Sequence, residues 1–268
     1  MTILDRDQVV AALDEAFDAV VELADGLAPG EWDLATACPG WSVKDNVSHV
    51  IGVEAMLLDR PTPDLALADD LPHVRNDFGR VNEIWVESYR GRSPGEVVRD
   101  LRGVIAERRA ALAGMDQAAF EADSFTPAGP DTYGRFMRIR TMDIWFHDQD
   151  IRVAVGRPGH LEGLAPQAAL AEVAAVIGFV VGKRAAAPAG SSVRFDLTGP
   201  MARRIDVEVS DRARVVDELE GEPTTTLTVP GDHFMRLCGG RTVDAAPVTI
   251  SGDHDLGSRV AAKLAFMI

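Results

Sequence analysis

The order of apolar and polar residues divides the chain into two patterns. From Val9 to Leu27, apolar side chains fall at Val9, Leu13, Phe17, Val20, Val21 and Ala24, the spacing of an amphipathic helix with an acidic outer face. Pro29-Gly30 breaks it. Thr36–Ser42 reads as a turn, with Ser42 as N-cap and Asp45 as its first-turn acidic partner. The spacing predicts a second helix over Val43–Leu58, with Val47, Val50, Ile51 and Leu58 on its apolar face, then a Pro- and Asp-rich loop over Arg60–Pro72. A third helix is expected over Phe78–Tyr89. Ser93 and Pro94, a cap followed by proline at the first helical position, open a fourth that runs to Gly114. Phe125–Tyr133 is read as a loop, and Gly134–Val155 as a further helix closed by Gly156–Gly159. This part is expected to be a helical bundle without strands.

After Pro166 the pattern changes. Pro166–Ala185 is almost wholly apolar and predicts a buried or docking helix. Val193–Thr198 and Arg204–Val209 alternate with period two around Gly199-Pro200, the signature of an antiparallel pair. Thr224–Val229 and Pro247–Ser251 predict two more strands, Gly231–Cys238 a short helix and Asp255–Phe266 a last one. The expected organisation is therefore a helical domain over residues 1–160 and an α+β domain over residues 161–268.

Composition narrows the possible partners. With 46% hydrophobic and 26% charged residues, the 268-residue chain can bury a core. Its net charge of -15 argues against a nucleic-acid or anionic-membrane partner and leaves a small molecule open. Two cysteines, Cys38 and Cys238, with no metal-finger spacing suggest free thiols in a reducing compartment. No signal peptide is visible in MTILDRDQVV. The longest apolar run, within Leu170–Val181, contains Glu172 and reads as too short to cross a bilayer. A cytoplasmic location is expected.

Among six histidines, His147 is the most suggestive. It follows Asp143 by four residues, which on a helix stacks a carboxylate and an imidazole on one face. Such a pair can ligate zinc, iron, manganese or nickel, or form an ordinary ion pair. The apolar neighbours Met142, Ile144, Trp145 and Phe146 bury the stretch, so its polar groups need partners. His49, flanked by Val47, Val50 and Ile51, is either a packed core histidine or a ligand oriented by Asp45. Gly52 allows another helix or a ligand to come close. Arg241 in a Gly-Gly-Arg-Thr turn is either a solvated arginine or a carboxylate binder. His233 and His254 follow aspartates and suggest caps. His73 and His160 lie in loops and suggest no role. Trp41, Trp85 and Trp145 read as core.

Trp32, the segment Thr36–His49 (TACPGWSVKDNVSH) and the segment Arg140–Arg152 (RTMDIWFHDQDIR) resemble the mycothiol-dependent maleylpyruvate isomerase family of actinobacteria. The resemblance covers nearly the whole chain. It implies a DinB-like four-helix bundle followed by a small sterol-carrier-like α+β domain. It also implies a divalent metal, zinc first among the candidates, held by His49, Asp143 and His147, with Asp143 standing where characterised isomerases have glutamate. Mycothiol would be the thiol cosubstrate, and a small electrophile the substrate. The implied activity is cis–trans isomerisation or thiol S-transfer, by a monomer or homodimer. If the metal site is catalytic, the net charge of -15, which would repel an acidic substrate, leads to the expectation that Arg241 binds a substrate carboxylate in a cleft shared by the two domains. The competing expectation is a non-enzymatic metal- or ligand-binding protein with a stress or regulatory role.

Overall fold

The computed structural model describes residues 1–68, 70–243 and 248–267. The chain divides into two compact units, Met1–His160 and Leu161–Ile268.

The first unit is built on α1 (Arg6–Asp25), α2 (Val43–Met56), α3 (Asp77–Arg90), α4 (Pro94–Ala113), the short α5 (Gln117–Glu121) and α6 (Tyr133–Ala154). Local chemistry fixes the helix starts. Ser42 caps α2 in a reciprocal box with Asp45: the Asp45 N–H donates to Ser42 Oγ at 3.2 Å, and the Ser42 N–H donates to Asp45 Oδ2 at 2.8 Å. Ser93 and Glu96 cap α4 in the same way, with Pro94 at its first position. Each cap is worth about 1 kcal/mol.

Helix α1 packs on α4 and α6, and α2 packs on α3, α4 and α6. Helix α2 is buried along almost its whole length, from Val43 to Ala55. Gly52 explains its closeness to α3, because a Cβ there would stand 2.5 Å from Trp85 Cβ. The glycine is thus used for helix contact.

The expectation of a first part without strands, with Phe125–Tyr133 as a loop, is corrected. Strands β1 (Asp123–Thr126) and β2 (Gly129–Thr132) form an antiparallel hairpin. Gly129 supplies its positive φ of 99°. Thr126 Oγ donates to the Gly129 carbonyl at 2.7 Å, and Asp131 accepts from Thr2 and Arg135.

In the second unit, α7 (Leu164–Phe179) runs into a π-helical turn over Val180–Arg184. The 21-residue stretch Leu164–Arg184 is, by length and composition, apolar enough to cross a membrane, which corrects the shorter run expected from sequence; most of it is buried inside the protein. A five-stranded sheet follows in the order β5-β4-β3-β6-β7. Its strands are β3 (Ser192–Thr198), β4 (Arg203–Val209), β5 (Ala213–Val216), β6 (Thr225–Pro230) and β7 (Thr249–Gly252).

The expected β3–β4 pair is antiparallel, with Phe195 opposite Ile205. Strand β6 joins β3 in parallel, an arrangement that alternation alone does not reveal. Val193, Phe195 and Leu197 alternate into the core with Leu227 and Val229. Helices α8 (Gly231–Cys238) and α9 (His254–Ala261) complete the unit. Helix α9 is shorter than the predicted Asp255–Phe266, and the Lys263–Met267 stretch is not helical. Pro247 of the predicted last strand lies outside the described residues.

Candidate metal centre

Helices α2 and α6 meet with polar faces inward. His49 comes from the middle of α2, and Asp143 and His147 lie one turn apart on α6. His49 Nε2 is 3.2 Å from Asp143 Oδ2, and His147 Nε2 is 3.5 Å from Asp143 Oδ1. The imidazole centroids are 4.6 Å apart, edge to face. One donor atom from each of the three residues falls within 4.8 Å of the others. Both histidines are buried, while the Asp143 side chain keeps 38% exposure, so the group opens to solvent beside the carboxylate.

Neighbouring groups settle the orientation of His147. Asn46 Nδ2 donates to Thr36 Oγ1 at 3.0 Å and to the Ser42 carbonyl at 2.8 Å. Its Oδ1 is thereby turned to His147 Nδ1 at 2.7 Å, which makes that nitrogen the N–H donor and leaves a lone pair on Nε2. Asn46 lies three residues before His49, one turn earlier on α2, and was not singled out in the sequence.

Burial lowers the His49 pKa to about 4 against the contrary pull of Asp143, so its imidazole is neutral at pH 7. For Asp143, burial acts to raise the pKa, but the Arg140 guanidinium leads the groups that outweigh it and hold the carboxyl well below its usual range. Two imidazoles and a carboxylate form a donor set suited to a divalent ion.

A buried charge ladder stands behind the group. Arg140 Nη1 donates to Asp143 Oδ2 and its Nε to Glu54 Oε1 at 2.6 Å. Arg108 Nε donates to Glu54 Oε2 at 2.8 Å. Glu54 and Arg108 are fully buried. On another side lies Trp41, its ring centroid 5.1 Å from that of His49 and 5.7 Å from that of His147.

A second set of possible ligands shares His147. Cys38 Sγ donates to Asp150 Oδ2 at 3.1 Å and lies 3.8 Å from His147 Nδ1. The proton that Nδ1 carries toward Asn46 makes this set the poorer cation site.

Arg241 belongs to the other unit. It follows α8, its N–H bonded to the Arg236 carbonyl at 2.9 Å and its Nη1 donating to the Gly239 carbonyl at 2.6 Å. His233 lies within α8, 3.7 Å from Asp232 Oδ2, and His254 opens α9 behind the Asp253 cap. His160, from which no role was read in the sequence, makes a 2.9 Å contact with the buried Asp148.

The family model described as the Mycothiol maleylpyruvate isomerase N-terminal domain matches residues 13–152, and the MDMPI C-terminal domain matches residues 167–259. The chain belongs to the mycothiol maleylpyruvate isomerase family. Two solved structures share the fold. A crystal structure of mycothiol-dependent maleylpyruvate isomerase superposes with a TM-score of 0.59 at 15% identity, over 94% of this chain and 96% of that one. A histidine-to-alanine variant of mycothiol-dependent maleylpyruvate isomerase gives 0.58 at 14% identity, with the same coverage. At these identities the superposition speaks for the fold alone. No curated protein matches the chain in sequence. Family membership places both units in one architecture, the helical one first and the mixed sheet second.

Proposed function

We propose that this member of the family is a metal-dependent, mycothiol-dependent cytoplasmic enzyme acting on a small electrophilic substrate, by cis–trans isomerisation or thiol S-transfer. The observation that carries the proposal is the convergence of His49, Asp143 and His147 from two helices, with the two imidazoles buried and the carboxylate side open. These three residues would hold the ion; zinc is the candidate we put first, and iron, manganese or nickel would also suit two imidazoles and a carboxylate. The chemistry such an ion would supply is thiol activation, by lowering the pKa of a nearby thiol.

The remaining roles belong to the chain's own side chains. Asn46 keeps the His147 proton on Nδ1, so that Nε2 faces the site. Arg140 and Glu54 fix the direction of the Asp143 carboxylate. In the isomerisation reading, the thiolate sulfur would bond to one carbon of a cis double bond conjugated to a carbonyl, whose oxygen takes the displaced electron pair. The former double bond then turns as a single bond. Return of that electron pair from the carbonyl oxygen would re-form the double bond as the trans alkene and expel the same thiolate, so no atom is gained or lost.

We also assign Arg241 the binding of a substrate carboxylate, for which a bidentate guanidinium is suited. Arg241→Ala should retain its metal and lose turnover by a factor of roughly 30–1000, the effect of one charged hydrogen bond.

The test is conversion of maleylpyruvate, and of a panel of cis-enones and other electrophiles, by zinc-loaded protein with mycothiol. Turnover that requires both thiol and His147 supports the enzyme. Silence across the panel by fully loaded protein would contradict it and favour a non-enzymatic binding role.

A further inference from the structure

Glu83 lies on α3 with no solvent exposure, yet three donors converge on it. Trp41 Nε1 donates to its Oε2 at 2.8 Å. His73 Nε2 meets the same oxygen at 3.0 Å, and Arg90 Nη2 lies 2.8 Å from Oε1. Arg90 also reaches Asp45 Oδ1 at 3.2 Å, the partner of Ser42 in the α2 capping box. One carboxylate thus gathers the turn before α2, the chain between α2 and α3, and α3 itself.

Burying a carboxylate is unfavourable until its partners offset the lost hydration, and an apolar side chain would pack α3 without that cost. What the carboxylate adds is direction: it fixes the indole N–H of Trp41. That bond sets the ring plane, tilted 39° to both imidazoles. Trp41 is only partly buried, and its ring lies against both imidazoles. The preceding Gly40 has φ +81°, and a Cβ there would fall 2.7 Å from His73 Nδ1. The turn and His73 are therefore in direct contact, with no room for a side chain at position 40.

We infer that Trp41 is the wall of the candidate metal centre and that Glu83 is its positioning residue, with His73 and Arg90 holding Glu83 in place. The wall limits water at the imidazole pair and shapes what approaches the open side. This consequence rests on the proposed metal centre; the placement of the wall does not.

The test uses the whole metal-free protein with 15N-labelled indoles. The chain has four tryptophans, and Trp41→Phe identifies the Trp41 signal. Despite the partly exposed ring, the parent Trp41 indole N–H should exchange at least tenfold more slowly than a free indole. Glu83→Leu should abolish that protection, and Glu83→Gln should restore it, because the amide oxygen still accepts the bond. A second arm adds Co2+, which quenches nearby tryptophan emission. Most of the quench should vanish in Trp41→Phe, fall at least twofold in Glu83→Leu and return in Glu83→Gln. Unprotected exchange of Trp41 in the parent overturns the inference, even if Glu83→Leu fails to fold. So does a full Co2+ quench in Trp41→Phe. If the parent binds no Co2+, the metal reading fails, and the indole exchange still decides the placement of Trp41.

Discussion

Between α2 and α6 the helical unit buries Asn46, His49, Glu54, Arg140, His147, Asp148 and Asp150, with Arg108 and Glu83 behind them. The sheet unit fills its interior with Val193, Phe195, Leu197, Ile205, Val207, Leu227, Val229 and Phe234. Among its described residues, only Glu172, Ser191, Asp206 and Thr225 are buried polar groups. An apolar interior is held by burial alone and needs no specific partner. A charged interior persists only where each group meets its complement. The contrast shows where this chain spends stability on geometry: in the helical unit, around the histidine pair.

The largest effect should come from the charge ladder. Glu54→Leu strips the buried carboxylate from Arg108 and Arg140 and should cost about 3–5 kcal/mol, read as a lower denaturation midpoint. A loss below about 1 kcal/mol would mean that the ladder is replaceable by apolar packing, and the contrast between the units would weaken.

Acid should come next. The His49 pKa is lowered from 6.5 to about 4 in the folded chain, so the unfolded chain takes up this proton first as pH falls. The stability linked to neutral His49 is complete above pH 6.5 and is lost as pH falls toward 4. For metal-free protein the loss should be at most about 3 kcal/mol. Unfolding curves across this range should flatten in His49→Leu; an identical slope in parent and variant would remove His49 as the source.

The sheet unit supplies a milder ionic counterpart. Asp206, buried, pairs with the more exposed Arg194 at 2.7 Å. Asp206→Asn should cost about 1 kcal/mol or less, since the guanidinium can turn to water. The smallest effect is expected at Cys38. Cys38→Ala should leave metal stoichiometry intact and change metal affinity less than about threefold, under about 1 kcal/mol. Loss of the metal in that variant would move the site to the Cys38, His147 and Asp150 set.

Much of this architecture was legible in the sequence, for reasons that differ between elements. Ser42 with Asp45 and Ser93 with Pro94 mark helix starts by local chemistry, and both helices begin where those residues place them. Period-two alternation revealed β3 and β4 because one face of each is buried. Strand β5, half exposed along Ala213–Val216, lacks that alternation, and the β1–β2 hairpin is four residues a side with Pro130 in one strand. Pattern alone had little to detect there.

At the site, the spacing of Asp143 and His147 was readable as a helical face. The approach of His49 to them was implied only by the resemblance to a family. The Trp41–Glu83–His73 group escaped detection because its members are joined by tertiary contact across separate segments. Nothing local to Glu83 in the sequence signals that its side chain is buried.

Metal content per chain, measured on purified protein after exposure to zinc and removal of excess, tests the central claim most directly. The parent should hold one divalent ion per chain, and His49→Ala and His147→Ala should each lose it while keeping their helical content. His73→Ala, which leaves all three proposed ligands in place, should hold the ion as the parent does. A parent that binds no ion, or a His147→Ala protein that remains fully loaded, would contradict the assignment of His49, Asp143 and His147 as the metal centre.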